Sequence, residues 1–385
     1  MSLEELIKER IREHGAITVA DYMQIALSHP EHGYYMQRDP FGVAGDFITA
    51  PEISQVFGEI IGAWLAHNWQ LLGSPKEIAL VELGAGRGTL MADILRSTKN
   101  IKGFHEAVSV HLVEISPVLK QKQWKTLAGK HERIEWHDSI DSLPQLPMLL
   151  VANEFFDALP IRQFISSIPS PSGGGLGRGW AERMVDVVDD KLVFVTTTNT
   201  VMLPISFVPV QSITENLGGI LGDSNQDLST SIFKEKIIET CEPAIMIIRQ
   251  ISEHIATHSG AALVIDYGYT EGSKGDTLQA LQSHVYHDVL KDVGDADITA
   301  HVDFLALSQA AQTEGVNIHE ITPQGAFLMR LGAGDRTTAL CEISTPEQQK
   351  LLISGLKRLA DPSEMGELFK VLAITSKQIT QAEGF

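Results

Sequence analysis

The stretch 78–96, IALVELGAGRGTLMADILR, constrains the fold of this chain more than any other. An apolar run at 78–81 predicts a buried strand, and apolar residues at 90, 91, 94 and 95 recur at helical spacing. Between the two elements, Gly84, Gly86 and Gly88 follow each other at intervals of two residues. Glycines at such a turn let the backbone bend sharply and let a ligand approach closely. The first turn of the following helix offers unpaired N–H groups. The stretch therefore predicts a ligand-binding turn in an α/β fold.

The residues around the glycines indicate which kind of ligand the turn accepts. A dinucleotide fold places a pyrophosphate at G-x-G-x-x-G, whereas this loop reads G-x-G-x-G and continues with Thr89. Glu82, two residues before the first glycine, would repel a pyrophosphate but suits a ligand that carries an ammonium or a sulfonium group. The pattern resembles motif I of class I S-adenosyl-L-methionine (SAM) methyltransferases, and it argues against a nicotinamide oxidoreductase.

The charge of the chain restricts its partners. Its 385 residues include 49 acidic and 30 basic side chains, which give a formal net charge of −19. This balance argues against a nucleic acid or an anionic membrane as the main partner. The acidity serves either solubility or a preference for a basic protein or peptide, and the sequence leaves both interpretations open.

The distribution of apolar residues and cysteines indicates the compartment. No run approaches the roughly 18 apolar residues that a membrane span needs, and the first 15 residues lack the apolar core of a signal peptide. Two cysteines, Cys241 and Cys341, give no basis for a disulfide framework or a metal cluster. We therefore expect a cytoplasmic protein without a membrane span.

Two further strands supply acidic residues at their carboxyl ends. The apolar segment 108–113 predicts a second strand, and Glu114 follows it. In a doubly wound sheet an acidic residue at this position can accept both ribose hydroxyls of a nucleotide. Residues 132–136 predict a third strand, after which Asp138 either accepts the exocyclic amine of an adenine or caps a helix.

A fourth buried strand, 148–152, runs into the segment NEFFDALP at 153–160. The carboxyl ends of parallel strands are where such sheets bind ligands. Two carboxylates, an amide and two rings would suit a cationic nitrogen. Glu154 can pair with a guanidinium, and Phe155 or Phe156 can stack on it.

Residues 163–235 interrupt the core pattern and predict an insertion that serves as a substrate cap. A Pro/Ser/Gly stretch near 168–179 precedes a predicted β-hairpin at 183–198, which turns at Asp189–Asp190. On this basis the chain divides into an N-terminal helical region at 1–75, a core formed by 76–162 and 236–385, and the insertion.

The N-terminal region contains a loop that precedes a long apolar helix. Thr49 and Glu52 have the spacing of a capping box at the start of that helix. In the loop, Tyr34, Tyr35, Asp46 and Phe47 either close over a ligand or belong to an ordinary surface loop.

A fifth strand at 261–265 ends in Asp266 and Tyr267, and a segment rich in histidine and acidic residues follows. The spacings of His284, His287, His301 and Asp303 match no zinc signature, so we predict no metal there. His301 and Asp303 are better candidates for substrate contacts.

Five segments in order resemble the MidA family: GDFITAPEISQVFGEIIG, VELGAGRGTL, VANEFFDALP, VIDYGY and DITAHVDF. The resemblance spans nearly the whole chain. The mitochondrial member of this family is a complex I assembly factor, understood as a protein arginine methyltransferase acting on a complex I subunit. The resemblance implies SAM as cofactor, S-adenosyl-L-homocysteine (SAH) as product, and the glycine loop as the SAM site. It also implies Glu114 at the ribose and Asn153–Glu154 near the methyl group. The glycine-rich tract at 173–179 and the lack of a presequence suggest a bacterial relative.

These observations predict an α/β class I methyltransferase with a Rossmann-like, seven-stranded, mostly parallel sheet, an N-terminal helical region and an inserted subdomain. We expect a protein arginine N-methyltransferase. The alternatives are a methyltransferase-fold assembly chaperone without turnover and a methyltransferase of a small molecule. The catalytic candidates are Glu154, Asn153, Asp157 and His301. The cofactor candidates are Glu82, Gly84, Ala85, Gly86, Gly88, Glu114, Asp138 and Asn153. The substrate candidates are Asp46, Phe47, Phe155, Phe156, Tyr267 and Asp303.

Overall fold

The computed structural model describes residues 1–40, 48–166, 180–201, 237–272 and 275–385. Asp46, Phe47 and the glycine-rich tract at 173–179 lie outside the described residues. The helices are α1 Leu3–His14, α2 Val19–Ser28, α3 Tyr34–Gln37, α4 Ala50–Ile53, α5 Gln55–Leu71, α6 Thr89–Thr98, α7 Phe104–Ala107, α8 Pro117–Leu127, α9 Glu242–His258, α10 Phe304–Gln312, α11 Gln324–Arg330, α12 Ala333–Glu342, α13 Pro346–Ala360 and α14 Met365–Leu368. None of these helices is long and apolar enough to cross a bilayer.

The strands alternate with these helices along the central part of the chain. They are β1 Ile17–Thr18, β2 Ile78–Leu83, β3 Val108–Val113, β4 Ile134–His137, β5 Met148–Asn153, β6 Arg162–Ser166, β7 Trp180–Val188, β8 Lys191–Val201, β9 Ile237–Thr240, β10 Gly260–Tyr269, β11 Gln279–Gln282, β12 Val285–His287, β13 Asp297–Thr299, β14 Val302–Asp303, β15 Asn317–Ile318, β16 Thr322–Pro323 and β17 Phe369–Thr375.

The central sheet has the strand order β15-β17-β10-β5-β2-β3-β4, with β14 beside β10 and β16 beside β17. Strands β10, β5, β2, β3 and β4 are mutually parallel, and β17 is antiparallel to β10. The mostly parallel α/β architecture is as predicted. The predicted count of seven strands is not confirmed, because two-residue strands bring the described sheet to nine.

Helices cover both faces of this sheet, since its strands carry apolar side chains on both sides. Leu80 and its same-face neighbours pack with α5 and α6. Val81 and the residues on the opposite face pack with α9 and α10. Burial on both faces explains why β2 and β5 are nearly continuous apolar runs. Because these strands are parallel, their carboxyl ends lie along one edge of the sheet, where the ligand site can form.

A second sheet contains the described part of the predicted insertion. It has the order β1-β7-β6-β9, with β8 paired to β7. The hairpin of β7 and β8 turns at Asp189–Asp190, both at positive φ, as predicted. Because β1 pairs with β7, the N-terminal region and the insertion share one sheet and one core.

One local prediction was wrong. Thr49 precedes α4 but its side chain makes no capping hydrogen bond. Glu52 instead accepts from the Thr89 hydroxyl at 2.8 Å, and the helix restarts at Ser54, which caps α5. The segment near 275–301, which lacks a period, forms a three-stranded sheet of order β12-β11-β13.

Candidate active site

The glycine loop joins β2 to α6 through three residues at positive φ. The φ values of Gly84, Gly86 and Gly88 are 62°, 51° and 80°, a region that side chains other than glycine rarely adopt. The Gly84 N–H donates to the Val113 carbonyl at 3.0 Å, which ties the loop to the end of β3. Gly88 precedes α6 without a side-chain capping hydrogen bond, and the Glu82 carboxylate accepts from the Met91 N–H in the first turn of the helix. The loop therefore offers backbone donors and space, as its sequence predicts.

Glu114 lies at the end of β3 and is held by two donors. Its carboxylate accepts from the Ser116 N–H at 2.8 Å and from Gln123 Nε2 at 3.0 Å. Gln123 also donates to the Gly86 carbonyl at 3.0 Å and accepts from Trp136 Nε1 at 2.9 Å. Burial raises the pKa of Glu114 above its ordinary value. Gln123 is fully buried, and sequence reasoning missed it because it lies in an otherwise polar helix.

Glu82 and Asn153 lie at the ends of the neighbouring strands β2 and β5, on the same face of the sheet. Both are buried, and Glu82 Oε2 and Asn153 Oδ1 have no hydrogen-bond partner. Burial raises the pKa of Glu82 to about 8. Two unsatisfied acceptors in a buried position are costly, and both residues border the same small cavity. These acceptors fit the amino group of a methionine moiety.

The turn after β5 carries the other carboxylates. Glu154 has φ +50°, and its Oε1 accepts from the Ala50 N–H at 2.9 Å and from Asn153 Nδ2 at 3.1 Å. Burial of the carboxylate raises the pKa of Glu154 to about 7. Asp157 is buried, and burial raises its pKa to about 6. Its Oδ1 has no hydrogen-bond partner.

Asp266, near the end of β10, accepts hydrogen bonds from the backbone of this turn. Its Oδ2 accepts from the backbone N–H groups of Phe155, Phe156 and Asp157 at 3.0–3.2 Å. Its Oδ1 accepts from the Tyr267 N–H at 2.9 Å. The side chain is fully buried. A carboxylate that accepts four backbone donors fixes the conformation of the segment that presents Glu154 and Asp157.

A cavity of about 370 Å³ opens at the carboxyl ends of these strands. Among the predicted residues, it is lined by Gly84, Gly86, Glu114, Glu154, Phe155, Asp157, Tyr267 and His301. The Tyr267 ring contacts the rings of His301 and Phe369 edge-on, with centroids 5.4 and 5.5 Å apart. Tyr35, also predicted to face a ligand, lines the cavity, and its hydroxyl donates to Asp297 Oδ1 at 2.8 Å.

Two smaller cavities continue the cleft at its ends. One, of about 290 Å³, shares Gly84, Glu114 and Phe155 with the first and reaches Asp138 and Ile140. Asp138 is exposed and pairs with Lys120 at 2.5 Å, which lowers its pKa. The other, of about 40 Å³, contains Glu82, Ala85, Asn153 and the cation Arg87, which sequence reasoning also missed.

Two predicted substrate residues lie away from the main cavity. Phe156 is buried in the core beneath the turn and borders a separate small cavity. Asp303 borders that same cavity and caps α10, since its Oδ1 accepts from the Ala306 N–H at 2.9 Å. Gly88 borders none of the cleft cavities. A Cβ on Gly88 would lie 3.4 Å from Gln123 Cα and 3.6 Å from Leu127 Cγ.

Acidic side chains line this row of cavities together with the glycine loop, and the parallel sheet carries them at its carboxyl edge. The fold and the site define a class I methyltransferase.

Comparison with known proteins agrees. Residues 60–322 match the model of a family of S-adenosyl-L-methionine-dependent methyltransferases. The chain is 36% identical over 395 residues to a mitochondrial protein arginine methyltransferase homologue of Drosophila melanogaster, with 97% of this chain and 84% of the relative covered. It is 35% identical to the mitochondrial protein arginine methyltransferase NDUFAF7 of Homo sapiens, with 97% and 83% covered.

A solved bacterial structure is similar over the whole fold. A protein from Burkholderia thailandensis, bound to S-adenosyl-homocysteine, superposes with a TM-score of 0.78 at 27% identity and covers 99% of this chain and 93% of its own. The chain belongs to the MidA family of SAM-dependent methyltransferases. Its cofactor is SAM.

Proposed function

We propose that this chain is a protein arginine N-methyltransferase. The observation that carries the proposal is the pair of carboxylates, Glu154 and Asp157, that face the cavity beside the aromatic ring of Tyr267. An acidic, partly aromatic cavity favours a cationic, planar group. The names of the mitochondrial relatives give the same acceptor class. A subunit of respiratory complex I is the first acceptor to test.

The proposed cofactor residues follow the three cavities. Glu82 and Asn153 would hold the ammonium of the methionine moiety, Glu114 the ribose hydroxyls, and Asp138 the adenine amine. The backbone of Gly84, Ala85 and Gly86 would line the ligand, and Gly88 would shape the turn. The unpartnered Glu82 Oε2 and Asn153 Oδ1 support the first of these assignments.

When bound, SAM supplies a methyl group on a sulfonium, and transfer to a nitrogen forms one N–C bond as the S–C bond breaks. The protein contributes positioning, which can supply roughly 7–11 kcal/mol of the barrier. Glu154 would pair with one guanidinium nitrogen and concentrate the positive charge there, which frees the lone pair of another. A cation at this position would also lower the pKa of Glu154 and keep it ionised.

The methylated nitrogen must lose a proton, and Asp157 is the proposed acceptor. Its Oδ1 is buried and unpartnered, and its pKa of about 6 lies near the working pH, as general bases require. Tyr267 would stack against the substrate, and His301 beside it would contact the acceptor or pass the proton to solvent. Phe155, close to Gly84, would pack on the cofactor side.

We further propose that the region at 163–235 caps the acceptor and that the protein acts in a bacterial cytoplasm. The described part of this region packs against α2, whose Leu27 borders the main cavity, and this packing supports the first proposal. The bacterial origin of the similar solved structure supports the second.

Isothermal titration with SAM and SAH, followed by transfer of a labelled methyl group, tests the proposal. The wild-type chain should bind both ligands, and Gly86→Val should bind neither, because valine is strained at φ +51°. Incubation with labelled SAM and a lysate that lacks the chain should give labelled methylarginine after hydrolysis of the protein fraction.

Glu154→Gln separates chemistry from binding. We expect turnover to fall at least tenfold while SAH affinity stays within a factor of about three. Glu320→Gln, at an exposed glutamate that borders none of the three cleft cavities, is the matched control. Full turnover by Glu154→Gln would remove it from the mechanism. Binding without any labelled acceptor would favour the chaperone, and label confined to small molecules would contradict a protein substrate.

A further inference from the structure

Three potential metal ligands meet at the outer edge of the central sheet. His111 on β3 and Glu135 and His137 on β4 place one donor atom each within 4.8 Å of the others. His111 Nδ1 lies 3.0 Å from His137 Nε2 and 3.9 Å from Glu135 Oε2. None of the three residues borders the cleft described above. They therefore form a separate cluster, which the methyl transfer does not use.

Serine hydroxyls hold the outer nitrogen of each ring. His137 Nδ1 lies 2.9 Å from Ser142 Oγ, and His111 Nε2 lies 2.9 Å from Ser109 Oγ. The Ser142 hydroxyl donates to the Ser139 carbonyl at 3.0 Å, so Ser142 Oγ accepts from His137 Nδ1–H. His137 Nε2 consequently carries a lone pair that points into the cluster. Outer-nitrogen hydrogen bonds of this kind orient the histidine ligands of metal sites.

The separations suit a small divalent ion. Two nitrogen ligands of a tetrahedral zinc ion, with bonds of about 2.0–2.1 Å, lie about 3.3 Å apart. The Glu135 side chain is 69% exposed and can swing toward the histidines. His111 is buried, which leaves its inner nitrogen open only toward the cluster partners.

We propose that His111 Nδ1, His137 Nε2 and a Glu135 carboxylate oxygen bind one divalent transition-metal ion of the zinc class. Without the ion, His111 Nδ1–H donates to His137 Nε2. On binding, the His111 proton shifts from Nδ1 to Nε2, and the Nε2–H then donates a hydrogen bond to Ser109 Oγ. The lone pairs of His111 Nδ1 and His137 Nε2 coordinate the metal. Two nitrogens and one carboxylate favour zinc, cobalt or nickel over calcium or magnesium, and water completes the coordination.

The ligands are brought together by the pairing of β3 with β4. His111 is the register partner of Glu135, and Val113 is the partner of His137. Other histidine pairs in the described part of the chain, such as His254–His258 on α9, form no such group with a carboxylate. His258 therefore provides a control from a pair that lacks the third ligand.

Titration of the full chain, stripped of metal with a chelator, with CoCl₂ and then ZnCl₂ tests the proposal. We expect one equivalent of Co²⁺ to bind with the visible bands of a four- or five-coordinate ion, and Zn²⁺ to displace it. Glu135→Gln and His137→Gln should each weaken binding at least tenfold, which corresponds to about 1.4 kcal/mol. His258→Gln should leave the affinity and the spectrum unchanged.

Circular dichroism and SAH titration keep the result interpretable. Glu135 is exposed, so Glu135→Gln should retain the fold and the SAH affinity while it loses the metal. The proposal is overturned if the wild-type chain binds no stoichiometric Co²⁺. It is also overturned if Glu135→Gln binds as tightly as the wild type, or if His258→Gln removes the signal. None of these readouts depends on methyl transfer.

Discussion

Asp266 Oδ2 accepts a hydrogen bond of 3.0 Å from the backbone N–H of Phe156, which lies 110 residues earlier in the chain. The same oxygen accepts from the backbone N–H groups of Phe155 and Asp157. The bond joins the turn that follows β5 to the neighbouring strand β10. It therefore holds the carboxylates of the proposed acceptor site in one orientation.

Asp266→Asn should destabilise the protein and weaken its site together. An amide presents one acceptor oxygen and an NH₂ group, so at least one backbone donor loses its partner. An unpaired buried group costs about 1–3 kcal/mol. We expect the unfolding free energy in urea to fall by that amount and methyl transfer to fall further. Asp189→Asn, at an exposed turn with φ +49° that asparagine tolerates, is the control. Equal stability of the two variants would show that Asp266 does not hold the turn.

Glu82 should make the ligand-free protein less stable as the pH rises. Its pKa is about 8 in the folded chain and 4.5 ordinarily. The folded state thus binds the proton more tightly, so its contribution is fully present below pH 4.5 and is lost as the pH rises through about 8. We expect the unfolding free energy to decline by a few kcal/mol, on the order of 2–4, across this window. Glu82→Gln should flatten that decline, whereas Glu320→Gln should not.

Cofactor binding should release a proton near pH 7 if Glu82 receives the ammonium. A cation favours the ionised carboxylate and lowers its pKa. Calorimetric titration with SAH in buffers of different ionisation enthalpy measures the protons exchanged. We expect a release close to one proton for the wild type and much less for Glu82→Gln. Equal release by both would place the ammonium elsewhere.

Gln123→Leu should weaken cofactor binding, because Gln123 holds the glycine loop and Glu114 in place. The change leaves the Gly86 carbonyl, one Glu114 oxygen and Trp136 Nε1 without their partner. We expect SAH affinity to fall about tenfold, or about 1.4 kcal/mol, with a lower midpoint of thermal unfolding. Gln121→Leu, on the exposed side of the same helix, controls for helix propensity and added apolar surface. Unchanged affinity in Gln123→Leu would mean that Glu114 needs no support.

Gly84→Ala should abolish tight cofactor binding through both strain and contact. A Cβ at Gly84 would lie 2.8 Å from the Phe155 ring, at φ +62°. Gly73 has φ +83° and open space around it, so Gly73→Ala carries the backbone strain alone. We expect both variants to lose about 1 kcal/mol of stability, but only Gly84→Ala to lose SAH affinity. Loss in both would assign the effect to stability.

Much of this fold follows from local patterns. The strand, glycine turn and helix at 78–96 were predicted because apolar period and glycine spacing are local properties. Glu114 and Asp157 were predicted to lie in the cleft because parallel strands present their carboxyl ends together. The hairpin at Asp189–Asp190 was predicted from turn residues.

Other features depend on partners that are distant in sequence. The β11–β13 sheet has no period of its own, because its strands are short and only partly buried. The helices α11 and α12 were missed for a similar reason, and Gln123 resembles its polar neighbours. Asp303 caps a helix and Phe156 fills the core, although each follows a strand as a ligand residue would. Asp303 and Phe156 have the residue type and the position in the fold of ligand-binding residues. The direction of each side chain, which the sequence does not show, decides whether it contacts a ligand.

The sequence by itself determined the α/β class, the glycine turn and the set of acidic residues at the strand ends, because backbone conformation and hydrophobic period are encoded over a few residues. The tertiary structure alone decided which acceptors remain unpartnered, that Asp266 holds the turn of Glu154, and that His111 faces His137. Hydrogen bonds between residues far apart in sequence leave no periodic trace, since each needs one matching atom at a distance that only the packed sheet sets.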